Sequence, residues 1–125
     1  MTPELKAKWC ANLRSGNFSQ AREKLATCDG GMCCLGVGLV TALNLSDRME
    51  VYEEHDVGDG YPINLTDGDE LSTAGLKVLG IDDKAQTTLI RMNDGDRRWD
   101  YDVGKYVLIE HCTFAQIADW IEKNL

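Results

Sequence analysis

The sequence predicts an α+β fold, one domain in which a small antiparallel sheet is packed by about four helices. Three observations carry this. The longest apolar run, Cys33-Cys34-Leu35-Gly36-Val37-Gly38-Leu39-Val40, has no face to turn to water and must be buried on all sides. Apolar residues at helical spacing stand at both ends of the chain: Leu5, Trp9 and Leu13 at one, Phe114, Ile117, Ile121 and Leu125 at the other. Between them, turn signals such as Asp29-Gly30-Gly31 and scattered β-formers break the helical period.

Each element has a local reason. Thr2-Pro3-Glu4 is a helix start, with a capping hydroxyl, a proline for the first turn and an acid near the positive end of the dipole. The helix should run over about 3–15 and close at Gly16. Phe18 to Ala26 is compatible with a short helix or a strand. The Asp29-Gly30 pair suits a tight turn, which favours a hairpin with strands near 22–28 and 31–35. The apolar run is too long for an ordinary strand, so a buried helix is expected at about 34–44, with Gly36 and Gly38 allowing close approach of a neighbour.

Met49 to Leu65 offers either two exposed strands or an excursion over the core, and Pro62 argues against a central strand. A short helix should end at Gly80, with Leu71, Leu76 and Leu79 inward. Asp82 should cap another that ends near Asn93-Asp94-Gly95. The polar segment 94–106 reads as a loop or hairpin. Thr113-Phe114-Ala115-Gln116 is a capping box that opens the last helix. The expected core is Trp9, Leu13, Leu35, Val37, Leu39, Leu79, Leu89, Phe114, Ile117 and Ile121.

The 125 residues suit a single domain, 1–125, with an acidic excursion at 47–70. That excursion holds nine acids against one base, Arg48, and nine minus one equals the whole net charge of −8. Such a surface repels nucleic acid and attracts a basic protein or a cation. No stretch approaches the ~18 apolar residues of a membrane span. The first residues lack the basic-then-apolar pattern of a signal peptide, so a cytoplasmic protein is expected. The five cysteines then read as reduced, small apolar residues.

Several pieces together are similar to a family of small phage and prophage proteins. They are Trp9, Leu13-Arg14-Ser15-Gly16, Phe18, Gln20 and Cys33-Cys34-Leu35-Gly36-Val37, and later Leu89, Asn93-Asp94 and Phe114-Ala115-Gln116-Ile117-Ala118-Asp119-Trp120-Ile121-Glu122. The family pattern reads W..AL.SG.Y.Q....L...CCLGVL, closing with L..LND...F..IAD.IE. Phe18 stands where that pattern has Tyr and Gly38 where it has Leu. The resemblance covers both ends and skips the acidic middle. It implies no enzyme activity. It implies an accessory role in the host cell cytoplasm, against host defence, by binding a host protein or sequestering a nucleotide signal.

Two sites are expected on that basis. Arg91, Asn93, Arg97, Arg98 and Trp99, with Tyr101 nearby, are the only concentration of bases and aromatics, the groups that grip phosphates and stack on bases. Glu50, Glu53, Glu54, Asp56 and Asp59 would instead face a basic partner protein. A homo-oligomer stays open. Catalysis and metal binding find little support: Gly36-x-Gly38 lacks the third glycine of a dinucleotide loop, the Asp tracts lack a calcium ladder, and the adjacent His111 and Cys112 lack a third group. No cofactor is expected.

Overall fold

Helix α1 spans Pro3–Arg14 in the computed structural model, which describes residues 1–58 and 60–125. The Thr2 hydroxyl accepts the Leu5 N–H, and the chain leaves the helix through Ser15 and a left-handed Gly16 (φ +77°). Helix α2, Cys34–Leu43, is the axis of the molecule, and Cys34 through Leu39 are all buried. Helices α1, α3 (Thr73–Leu79) and α4 (Asp83–Asp94) and a 3-10 helix (Arg48–Tyr52) pack on it, while α5 (Phe114–Asn124) lies along α1.

The glycines of α2 explain how so many elements reach one helix. A Cβ on Gly36 would collide with the carbonyl of Leu25, and one on Gly38 would stand 3.0 Å from both Leu79 Cδ1 and Trp9 Cε2. The Trp9 indole N–H donates to the Cys34 carbonyl at 2.9 Å, which satisfies its one polar atom inside the core. On the outside, Arg14 joins α1 to α5 by reaching Glu122 at 2.5 Å and Asp119 at 2.6 Å. All ten expected core residues are buried, joined by Leu25, Met32, Val51 and Leu65. Leu76 and Leu125 are only partly covered.

The fold is α+β, and among the described residues its strands form four separate two-stranded pairs instead of one sheet. β1 (Ser19–Gln20) runs parallel to β2 (Gly31–Met32). β3 (Glu54–His55) with β4 (Ile63–Asn64), β5 (Thr66–Asp67) with β6 (Glu70–Leu71), and β7 (Asp96–Asp100) with β8 (Lys105–Ile109) are antiparallel.

The hairpin expected over 22–28 and 31–35 is therefore corrected. The turn at Asp29-Gly30 exists, held by the Thr27 and Gly31 backbones at 2.8 Å, but only Ala26 bridges back to Met32. The chain bends away at Glu23 (φ +64°), so the residues that flank β2 on its other side come from before that bend. Gly31 sits between the two: a Cβ there would meet Ala21 at 2.7 Å and the Thr27 hydroxyl at 2.9 Å.

The acidic excursion is anchored at two points, since Val51 and Leu65 are fully buried. Its one base turns inward, with Arg48 Nε and Nη2 donating to the carbonyls of Thr27 (3.1 Å) and Cys28 (3.0 Å). The segment 94–106 resolves into the β7–β8 hairpin. All five residues of β8 are exposed, as are the three central residues of β7.

Candidate functional site

Asn93, at the penultimate position of α4, is 1% exposed and uses its whole amide. Its Oδ1 accepts from the Cys34 N–H (3.1 Å) and from Gln20 Nε2 (3.2 Å). Its Nδ2 donates to the Ala21 carbonyl (2.8 Å) and to Asp94 Oδ1 (2.8 Å). A primary amide has two donors and two acceptor lone pairs, so nothing is left for a ligand. The hollow beside it measures about 10 Å³, the least that a single water occupies. The expectation that Asn93 lines a ligand site gives way to a structural role, as the knot that ties α4, α2 and the β1 segment together.

The knot extends to the root of the β7–β8 hairpin. Gln20 Nε2 also donates to the Cys112 carbonyl at 2.8 Å, and the Cys112 N–H donates to the Met92 carbonyl at 2.6 Å. Asp94 Oδ1 accepts the Glu23 N–H at 2.9 Å, which holds the left-handed bend. The leading root of the hairpin is thus fixed at Asn93-Asp94 and the trailing root at Cys112. Arg22 lies on the His111 ring beside it. Gln20, Cys34, Asn93 and Asp94 meet here and hold one element in place.

That element projects. Seven of the nine exposed large apolar side chains among the described residues lie within 99–109, from Trp99 (41%) to Tyr101 (89%), Tyr106 (68%) and Leu108 (67%). Beyond pairing with each other, β7 and β8 make only sparse contacts with the body. Directly opposed residues share a face and successive residues alternate. The register therefore gives one face Arg97, Trp99, Tyr106 and Leu108, and the other Asp96, Arg98, Asp100, Lys105, Val107 and Ile109. Trp99 stands edge-on to Tyr106 (5.0 Å between ring centres) and to Tyr101 (6.4 Å).

The other expected ligand residues do not converge. Arg91 is exposed on α4, and Arg97 and Arg98 point to opposite faces of the ribbon. A hollow of about 330 Å³ is lined by Arg98, Trp99, Tyr101 and Val107, but also by the carboxylates of Asp100 and Asp102.

Glu53, Glu54 and Asp56 are exposed, while Glu50 is half-buried and accepts the Ser46 hydroxyl at 3.0 Å. Asp59 lies outside the described residues. Because Arg48 is engaged with backbone carbonyls, it leaves these acids without a neutralising partner from their own segment.

Among the described residues, no three His, Cys, Asp or Glu side chains are grouped to hold a metal ion, and no helix is long and apolar enough to cross a membrane. Burial pushes the Cys33 thiol up to about 11 and also raises Cys34 and Cys10. Protonated, enclosed thiols are poor nucleophiles. Cys33 instead caps α2, its sulfur accepting the Gly36 N–H at 3.5 Å.

Sequence reasoning had no reading for Gln86, which is 2% exposed and accepts the Leu71 N–H at 2.8 Å. A signal existed. Gln86 and Asn93 are seven residues apart, on the same helical stripe as Leu89 and Ile90, so two amides sit on an otherwise apolar face. A polar side chain in that position must find buried partners.

The family model described as Domain of unknown function (DUF8296) matches residues 1–125. No curated protein and no solved structure matches the chain.

Proposed function

We propose that this chain, which belongs to the DUF8296 family, is a non-enzymatic binding protein that docks on another protein through its β7–β8 hairpin. The observation that carries the reading is the concentration of exposed apolar side chains on 99–109, a patch on an element that buries little of itself. Contiguous apolar surface of this kind marks interaction sites in soluble proteins. Aromatic residues such as Trp99 and Tyr106 are the usual anchors of such contacts. The hydrogen-bonded root at Gln20, Asn93 and Cys112 supports it further, because a ribbon held at both ends loses less freedom when it docks.

The partner suited to this chain is basic. A net charge of −8, drawn entirely from 47–70, would speed encounter with a positive surface and make the association sensitive to salt. The resemblance to small phage and prophage proteins makes a host protein, met in the host cytoplasm and acting in defence, the partner to test. A second reading, capture of a nucleotide-type signal, has in its favour that Arg98 and Trp99 both line one hollow. Asp100 and Asp102 in that hollow oppose a phosphate.

Affinity capture from infected, defence-active cells, followed by native mass spectrometry, tests both readings. The docking reading expects a basic host protein that is lost when Trp99, Tyr106 and Leu108 are changed together to Ser and that is released by salt. A bound small molecule of nucleotide mass, retained by that variant and lost with Arg98→Ala, would overturn it in favour of the second reading.

A further inference from the structure

The two edges of the hairpin are not alike. Four of the five residues of β7 are charged (Asp96, Arg97, Arg98 and Asp100), whereas β8 carries only Lys105 among Tyr106, Val107, Leu108 and Ile109. Charge along an edge strand guards it against pairing with another chain, and a bare apolar edge invites it. Among the described residues β8 also lacks a second neighbour, since it pairs with β7 alone. Every one of its residues is exposed.

The geometry points to a second copy of this chain as the occupant of that edge. We infer that two copies pair β8 to β8 in antiparallel register about a two-fold axis at Val107, giving a continuous sheet in the order β7-β8-β8-β7. A two-fold antiparallel pairing sets residue i opposite its mirror position, so both residues of a pair face the same side. About Val107, Tyr106 opposes Leu108 twice on one face, and Lys105 opposes Ile109 twice on the other. No like charges meet.

The same operation on β7 is unfavourable. Centred on Arg98, it sets guanidinium against guanidinium and Asp96 against Asp100. Centred on Trp99, it aligns Arg98 with Asp100 but runs Asp96 and Arg97 past the end of the strand, and it leaves both apolar β8 edges bare.

Charge over the whole molecule favours the same place. Residues 96–109 hold three acids (Asp96, Asp100, Asp102) and three bases (Arg97, Arg98, Lys105), a net of zero on a chain whose −8 resides in 47–70. Two strongly acidic copies can approach through this neutral element at the least Coulombic cost. The pairing would also supply strands that the hairpin lacks, because an isolated two-stranded ribbon is marginal in water and three or more are needed for independent stability.

The pairing does not depend on the docking reading, but it deepens it. The face bearing Arg97, Trp99, Tyr106 and Leu108 would continue across the axis into its symmetry mate, so each copy completes the other's docking face. Sedimentation velocity reads the pairing without any host partner, which separates failure of one idea from failure of the other.

The wild-type chain is expected to sediment as a concentration-dependent dimer. V107K, which sets two ammonium groups opposite each other beside Arg98, should leave a monomer with an unchanged circular dichroism spectrum. Mixing V107K with V107E should restore a dimer, which also shows that both variants are folded. R98E, on the outer strands, should still dimerise. A wild-type chain that is monomeric at all concentrations overturns the inference. So does a dimer that survives V107K, one that is split by R98E but not by V107K, or an open-ended polymer.

Discussion

Replacing Asn93 by Ala distinguishes a structural amide from a ligand-binding one. The substitution removes four hydrogen bonds, but its cost depends on which partners are left with nothing. Gln20 Nε2 keeps the Cys112 carbonyl, and Asp94 Oδ1 keeps the Glu23 N–H. The Cys34 N–H is different: it lies in the first turn of α2, where no intrahelical acceptor exists, and Cys34 is fully buried. The Ala21 carbonyl likewise loses its Asn93 donor. The orphaned buried Cys34 N–H costs about 1–3 kcal/mol, and the carbonyl of Ala21, a half-buried residue that water can reach, adds less. Against a total stability of about 5–15 kcal/mol for a domain, that is a large fraction.

Urea titration followed by tryptophan fluorescence should show the unfolding free energy of N93A lowered by that amount, through a lower midpoint with little change in slope. Partner capture should weaken with it, since the hairpin root is loosened. A variant within about 0.5 kcal/mol of the wild type, the usual range for an exposed substitution, would refute the reasoning and return Asn93 to the list of ligand contacts.

The remaining predictions concern α2, the α1–α5 contact and the thiols. Gly36→Ala should destabilise by about 1–3 kcal/mol, because the added methyl meets the Leu25 backbone, which cannot turn aside. Gly38→Ala meets only the Leu79 and Trp9 side chains at 3.0 Å, so the gain in helix propensity of about 1 kcal/mol should offset much of the strain. Equal thermal shifts for the two would be inconsistent with this account.

Arg14, by hydrogen bonding, holds the Glu122 carboxyl below its ordinary value. A lowered carboxylate stabilises above its unfolded pKa and loses that contribution as pH falls through its folded one. The difference in melting temperature between wild type and R14A should therefore be small at neutral pH and vanish in acid. A difference that grows in acid would contradict it. With Ellman's reagent at pH 8, the exposed Cys28 should react first and the half-buried Cys112 more slowly. Cys10, Cys33 and Cys34 should wait for unfolding, and their early reaction would show that the core opens.

What the sequence determined by itself was local. A cap and the residues it serves lie within one turn: Thr2 with Leu5, Ser72 with Gly75, Asp82 with Ala85, and Thr113 with Gln116. Helix ends were legible for that reason, and so was the core, because apolar periodicity reports which face a helix buries. The charge-free stretch of α2 announced its own burial in the same way.

Only the tertiary structure decided the rest. Three of the four partners of Asn93 stand 59, 72 and 73 residues away in the chain, so no local pattern could mark its amide as saturated. Arg97 and Arg98 look like one cationic cluster in sequence, yet a strand sends consecutive side chains to opposite faces, and that separation exists only once the segment is known to be a strand. The parallel pairing of β1 with β2 follows from the bend at Glu23, which Asp94 holds from 71 residues away. Exposure of Tyr106-Val107-Leu108-Ile109 was equally hidden. An apolar strand reads as core until the structure shows that, among the described residues, nothing covers it.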